Sequence, residues 1–241
     1  MSERINWKFV IAGMLGIFVC CLQGPLLYSD EGTISVISAV LHYYDTQRLW
    51  IDSYHAFATG IGAGKMYLLL PVAATIATVP YICDELNSAY HWNIIGRTGV
   101  NKYIRKSCIA VLLGAVFVVV GGLVLYSAFT LIVFPKVPNY GDFVLTDLPE
   151  MEQVTYISIL WQEVPIFLQY CFRGMAMAFF SYVLAVLTQD KCVVLCVPFL
   201  LNYIGAEYFE KYIWSSSLEI MLGAFIITIF VWSEKRRRLL I

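Results

Sequence analysis

Charged residues are scarce in this chain of 241 residues. Only 14% of them are Asp, Glu, Lys or Arg, whereas hydrophobic residues make up 60% and the mean hydropathy is +0.73. Soluble domains typically contain about 25% charged residues and about 45–50% apolar ones. The composition therefore excludes an ordinary soluble domain and predicts an integral membrane protein.

The sequence also lacks the motifs that would indicate an enzyme. Neither HExxH nor GxSxG occurs, so hydrolysis within the membrane has no sequence support. The glycine-rich segment 60–66 is not a phosphate-binding loop, because Thr59 and Met66 stand where that loop requires Gly and Ser or Thr. We therefore expect no catalytic residues and no cofactor in this chain, and we interpret the glycines as a hinge before the second span.

A disulfide framework is absent as well. None of the seven cysteines falls in a segment predicted to lie outside the membrane, and no CxxC pair occurs. The cysteines are expected to be small buried hydrophobes. Four polar residues of one outer segment match no metal-binding signature, so an exposed loop is predicted there and no metal site. These residues are His42, Asp45, Asp52 and His55.

Six long apolar runs indicate membrane-spanning helices, because about 18 or more residues with few charges can cross a bilayer. The first run is interpreted as a retained helix and not as a signal peptide, since no small-residue cleavage site follows it. The fifth is short for a full span, and the next is expected to be partly re-entrant at the outer face. An all-α membrane protein with one transmembrane domain over residues 1–241 is therefore predicted. The six runs are 9–28, 66–83, 107–134, 164–188, 192–206 and 214–233.

Positive residues are concentrated in alternate loops, and this pattern predicts the orientation of the spans. With the N-terminus inside, most Lys and Arg residues are cytoplasmic and the long outer segments 29–65 and 135–163 are mainly acidic. Both termini are therefore predicted to be cytoplasmic. The cytoplasmic positive residues are Arg4, Lys8, Arg97, Lys102, Arg105, Lys106, Lys191, Lys235, Arg236, Arg237 and Arg238. A short interfacial helix is predicted in the first outer segment from Ile34, Ile37, Leu41 and Tyr44 at helical spacing.

Two charged residues belong to the fourth run or its edge. Arg173 falls inside the run, and Glu163 immediately precedes it. A charge in hydrocarbon is costly and normally faces a bundle interior, a water-filled path or a partner. The alternative is that the Arg173 side chain extends to the outer interface. Both interpretations stay open, and both residues are candidates for lining a translocation path.

The segment between the second and third runs is dense in charge, and it begins with an acidic pair at the end of a span. Leu86, Ala89, Tyr90 and Ile94 are spaced so that a short helix would have one apolar face. A basic loop next to the membrane is the simpler interpretation. The acidic pair and the apolar spacing favour a short cytoplasmic helix between spans two and three, placed to transmit force from a cytosolic partner.

These residues resemble the corresponding segment in the permease subunits of type-2 ABC exporters. The likeness is closest to small bacterial six-helix permeases that accompany peptide and bacteriocin export or immunity systems. It extends to the layout of six spans with both ends inside, although Ala89 stands where Gly is common. The matching residues are Asp84, Glu85, Ser88, Tyr90, Arg97, Gly99, Lys102, Tyr103 and Lys106.

The resemblance implies a half-transporter in the bacterial cytoplasmic (plasma) membrane. It would pair with a second permease copy or a paralogue and with two copies of a separate ATP-binding subunit, which would hydrolyse ATP. No nucleic acid is expected among its partners. The substrate would be hydrophobic or amphipathic, such as a peptide, a bacteriocin or a lipid-like molecule. The residues that would couple it to the ATPase are Asp84, Glu85, Tyr90, Arg97 and Lys102.

A second hypothesis assigns the chain to another class. In this alternative it is a membrane scaffold or immunity protein that transports nothing and binds a toxin or a partner through its outer loops. The two hypotheses differ in one requirement, because only the permease depends on an ATP-binding subunit.

Overall fold

A computed structural model of the chain describes residues 5–29, 32–42, 53–62, 65–88, 96–97, 99–134 and 156–209. This part of the chain is predominantly helical, as predicted, and it also contains one short antiparallel hairpin. The elements in chain order are α1 (Trp7–Leu22), β1 (Pro25–Ser29), β2 (Gly32–Ser35), α2 (Val36–His42), α3 (Ser53–Gly62), α4 (Met66–Ile76), α5 (Val79–Asn87), α6 (Val100–Val133), α7 (Tyr156–Thr188) and α8 (Lys191–Phe209).

Two helices are long and apolar enough to cross a membrane, which agrees with the prediction of a membrane protein. They are Asn101–Val133 within α6 and Ile159–Thr188 within α7. Helices α3 and α4, bent by 76° at the break between them, pass the same test if they are counted as one span. Helix α1 and the part of α8 up to Ile204 are apolar but shorter. The described residues thus contain two or three candidate spans, and the predicted run 214–233 lies outside them. Six spans with cytoplasmic termini stay a prediction.

The first apolar run is not one helix over its whole predicted length. Helix α1 ends at Leu22, and Pro25 begins strand β1, which pairs with β2. Proline disfavours helical geometry in the residue before it. That residue, Gly24, also packs directly against Gly60. A Cβ added to Gly24 would lie only 2.6 Å from the Gly60 Cα, so a larger side chain would not fit there. Apolar composition alone does not distinguish these residues from a continuation of the helix.

The second run is divided in a similar way. Helix α4 ends at Ile76, and α5 starts at Val79 with proline in its first turn. Pro80 has no N–H to donate to the Ile76 carbonyl, so the helical ladder is interrupted there. The Ala77 carbonyl at the break instead accepts a hydrogen bond of 3.1 Å from the backbone N–H of Asn6, just before α1.

The first outer segment does contain a short helix, as predicted, but it begins later than the apolar spacing suggested. Ile34 belongs to strand β2, whereas Ile37 and Leu41 are exposed residues of α2. Tyr44 lies beyond the described residues. The helical spacing of the apolar residues therefore predicted α2 correctly, but it wrongly included Ile34 in the helix.

The chain divides into two compact units. Unit 1 comprises Met1–Gly13, Leu70–Val119 and Cys171–Ile241, and unit 2 comprises Met14–Leu69 and Val120–Tyr170. In unit 1, helices α6 and α7 run antiparallel. Cys108 is hydrogen-bonded to Tyr182, and a Cβ on Gly174 would lie 2.8 Å from the Val119 side chain.

In unit 2, α1 and α6 run in the same direction. Met14 contacts Gly121, and further along both helices Phe18 packs against Tyr126 with ring centroids 6.5 Å apart. Small residues in α6 let α1 approach closely, which is how helices associate in membranes. A single transmembrane domain over 1–241 stays a prediction.

Candidate functional site

Several charged residues are gathered at one end of unit 1. We call this the charged end and define it by residues 84–88, 97, 99–106 and 188–191, which end α5, begin α6 and connect α7 to α8. Helix α6 lies against the break between α4 and α5, since a Cβ on Gly114 would be 2.6 Å from the Thr78 methyl group. The charged residues that were predicted in separate cytoplasmic loops therefore belong to one compact unit.

Two contacts join α5 to the turn between α7 and α8. The Lys191 Nζ lies 2.6 Å from the Asp84 Oδ1, and the Asn87 side-chain amide donates a hydrogen bond of 2.8 Å to the Gln189 carbonyl. Gln189 has a φ of 56°, the left-handed conformation that commonly ends a helix. Asp190 then begins α8 by accepting a hydrogen bond of 2.8 Å from the Cys192 N–H. The end of α5 is thus held by a well-defined turn.

The predicted coupling residues differ in their surroundings. Asp84, Arg97 and Lys102 are exposed, whereas Glu85 is buried, with 8% of its surface accessible. Tyr90 lies outside the described residues. The structure thus brings Asp84 together with Lys191, which had not been included among the coupling residues. The signal in the sequence was an aspartate and a lysine in two loops on the same predicted side.

The predicted connecting helix over 85–95 falls only partly within the described residues. Glu85, Leu86 and Asn87 are the last residues of α5, and Ser88 then has an extended backbone, with φ of −87° and ψ of 147°. The Ser88 hydroxyl donates a hydrogen bond of 2.8 Å to the Glu85 carbonyl, which caps the end of α5. A separate helix after Ser88 stays a prediction.

Glu163 is fully buried in unit 2. Its Oε2 accepts a hydrogen bond of 2.6 Å from the Ser127 hydroxyl of α6, whereas its Oε1 has no hydrogen-bond partner among the described residues. Thr130, also buried, donates to the Ser127 carbonyl at 2.9 Å. This part of α6 therefore contributes buried hydroxyl groups to helices that are otherwise apolar.

A cluster of aromatic rings also lies in unit 2. Phe57 stacks on Tyr126 with ring centroids 5.8 Å apart, and on Phe167 with centroids 5.6 Å apart. The Tyr126 hydroxyl donates a hydrogen bond of 3.0 Å to the Ala56 carbonyl. Ser53 lies one helical turn before Phe57, and Glu163 lies one helical turn before Phe167. Each has a buried side-chain oxygen without a hydrogen-bond partner among the described residues. Sequence reasoning did not find this cluster, because its members come from three distant segments.

Arg173 belongs to unit 1 and has a partner of its own. Its Nη2 donates a hydrogen bond of 2.7 Å to the Oδ1 of Asn202, a buried residue of α8. The predicted path residues Glu163 and Arg173 thus fall in different units, and each is bonded to a polar side chain of a neighbouring helix. Asn202 was not predicted, although a polar residue within an apolar run was a visible signal.

The structure describes two of the four polar residues of the outer segment, His42 and His55, and all seven cysteines. In the part of the chain that the structure describes, no group of three or more His, Cys, Asp or Glu residues is placed to hold a metal ion. His55 is exposed there, whereas Asp45 and Asp52 lie outside that part. Cys21 and Cys83 are buried as expected, but Cys192 and Cys196 are exposed on one face of α8. Their position in an apolar run did not predict this exposure.

Comparisons of the chain with protein-family models, with curated proteins and with solved structures found no match.

Proposed function

We propose that the chain is the membrane-spanning permease subunit of an ATP-driven exporter in the bacterial cytoplasmic membrane. It moves a hydrophobic or amphipathic substrate, such as a peptide, a bacteriocin or a lipid-like molecule. It pairs with a second permease copy or a paralogue and with two copies of a separate ATP-binding subunit. The charged end of unit 1 is the docking site for that subunit, and hydrolysis takes place in the partner.

The observation that supports this proposal is the connection between α5 and the turn that precedes α8. A segment that passes force from a cytosolic partner to membrane helices needs firm contacts with more than one helix. Helix α5 has nine residues, buries Val79, Ile82 and Cys83, and is joined to Lys191 and Gln189 by polar contacts. Movement of the chain after Ser88 would therefore be passed to α7 and α8 as well as to α4.

The charge at this end supports docking of an acidic surface. Arg97, Lys102, Arg105 and Lys106 are all exposed. Exposed charges of one sign steer a complementary partner and set the orientation in which it binds. The exposed cations precede or begin α6, which is one of the two described helices that are long and apolar enough to cross a membrane, so a bound partner would act directly on a spanning helix.

The break between α4 and α5 gives the docking site a pivot. Ala77 and Thr78 separate the two helices, and only one backbone hydrogen bond, from Asn6, is described at the Ala77 carbonyl. Rotation of α5 about this break would cost fewer backbone hydrogen bonds than bending a continuous helix, because the hydrogen-bond ladder between α4 and α5 is already interrupted. In this proposal α5 is the lever, and Glu163 and Arg173 stay candidate residues of the translocation path.

The test is co-purification of an ATPase with the chain from its native membrane. The variant with Arg97→Glu and Lys102→Glu should lose most of the bound ATPase activity, because two exposed docking charges are reversed. The matched control carries Lys8→Glu and Lys65→Glu, which produce the same change in net charge at exposed positions outside the charged end. Equal ATPase recovery with both variants, or no ATPase with the unmodified chain, would contradict the proposal.

A further inference from the structure

The buried carboxyl group of Glu163 has an incomplete set of partners. One hydrogen bond, from the Ser127 hydroxyl, reaches its Oε2, and its Oε1 has no partner among the described residues. Within the same residues, no Lys, Arg or His forms an ion pair with it. The helix that carries it is long and apolar enough to span a membrane. A single neutral hydroxyl is a weak counterpart for a full negative charge.

Among the described residues of unit 2, the titratable groups on the neighbouring elements supply no positive charge to this carboxyl, and Lys65, between α3 and α4, is exposed. Tyr126 of α6, beside Ser127, directs its hydroxyl to the Ala56 carbonyl of α3. Cys21 of α1 is buried near Tyr126, and a cysteine side chain cannot carry a positive charge. On α3, His55 is exposed and its ring packs against that of Tyr54.

An isolated carboxylate is very costly to bury, so a group in this position either gains a positive partner or becomes neutral. A metal ion is a poor candidate, because the described oxygens here are those of Glu163 and Ser127, and hard cations take about six or more. A bulky ammonium or guanidinium group would need an opening to the carboxyl, whose side chain has no accessible surface. A proton is the one positive partner that needs no space.

We propose that Glu163 is a proton-binding site. At neutral pH the proton resides on Oε1, and Oε2 accepts the hydrogen bond from Ser127, so that the neutral carboxyl group links α7 to α6. Loss of this proton to water would leave a charge in the contact and favour its separation. Proton binding is thereby coupled to the contact between the two candidate spanning helices. This inference does not depend on the export function, because it concerns only the charge state of one side chain.

The test is infrared spectroscopy of the full chain in lipid vesicles at neutral pH. The difference between the unmodified chain and Glu163→Gln should contain the C=O stretch of one protonated carboxyl, shifted to lower frequency in deuterated water. Ser127→Ala should retain this band and move it to higher frequency, since the hydrogen bond to Oε2 is removed. Carboxylate bands in place of the C=O band in the difference spectrum would overturn the proposal.

A second measurement keeps the proposal testable if Glu163→Gln fails to fold. Selective carbon-13 labelling of glutamate carboxyl groups shifts only their bands and requires no substitution. The unmodified chain should then contain a labelled C=O band at neutral pH that moves to higher frequency in Ser127→Ala, which distinguishes Glu163 from Glu85, the other glutamate that the structure describes as buried. A spectrum with carboxylate bands alone would overturn the assignment. Neither result changes with the presence of an ATPase, so failure here is distinguishable from failure of the proposed function.

Discussion

The carboxylate of Asp84 lies 2.6 Å from the ammonium group of Lys191, so an ion pair joins the last turn of α5 to the first residue of α8. Both side chains are about half exposed, at 61% and 49%. Water and salt therefore screen the attraction strongly. The pair therefore contributes little to the stability of the fold.

The first prediction follows from that exposure. Asp84→Asn and Lys191→Gln should each lower the free energy of unfolding by less than about 1 kcal/mol, because exposed ion pairs contribute little. The variants Asp84→Lys and Lys191→Asp should each lose the attraction between the two residues. The double variant, in which the two charges are swapped, should regain it. Thermal unfolding of the unmodified chain, Asp84→Lys, Lys191→Asp and the double variant in one detergent measures this double-mutant cycle. A loss of several kcal/mol in either neutral variant would show that the pair is shielded from solvent.

A second prediction concerns two glycines of α3 that are two residues apart. A Cβ on Gly60 would overlap the Tyr126 hydroxyl group, whereas a Cβ on Gly62 would meet nothing within 4 Å. Gly60→Ala should therefore destabilise the protein by about 1–3 kcal/mol, as overpacking does in other cores. Gly62→Ala should be neutral or slightly stabilising, since alanine favours helices.

The measurement for these glycines is thermal unfolding of each variant beside the unmodified chain. Tyr126→Phe combined with Gly60→Ala should recover part of the loss, because the hydroxyl is the atom nearest to the added methyl group. Equal stability of the two alanine variants would contradict the close packing of α3 against α6 in unit 2.

A third prediction tests the bond between Arg173 and Asn202. Asn202→Leu removes the acceptor of the Arg173 Nη2 and should lower the free energy of unfolding by about 1–3 kcal/mol, the usual cost of a lost bond to a charged group. Asn202→Asp has nearly the same shape and retains an acceptor oxygen, so it should preserve stability. If the leucine variant were as stable as the aspartate variant, Arg173 would not depend on α8.

The longest helices were the most predictable elements of this fold. The run 107–134 is covered by α6 up to Val133, and the run 164–188 by α7, because both are mainly apolar, with Arg173 the one charged residue in the two runs. Each helix begins several residues earlier than predicted. The additional residues of α6 include Lys102 and Arg105, which are exposed and were therefore excluded from an apolar run. Hydropathy detects the part of a helix that suits a bilayer and not the whole helix.

The shorter elements were not predictable from composition. Pro25 and Pro80 interrupt two apolar runs. The average hydropathy of the residues around them does not indicate whether they form a helix, a strand or a break between helices. The partners of the site residues were equally hidden, since Ser127 and Glu163 are 36 positions apart and Asn87 and Gln189 are 102 apart. Such pairs depend on helix packing, which one sequence does not reveal.

The account depends most on the charged end of unit 1 facing the cytoplasm, where an ATP-binding subunit can reach it. Arg97→Cys, in a chain in which the exposed Cys192 and Cys196 are replaced by serine, places one accessible thiol at this end. A maleimide that does not cross membranes should label this thiol in inside-out vesicles and leave it unlabelled in intact cells. Labelling in intact cells would place the proposed docking site outside and contradict the account.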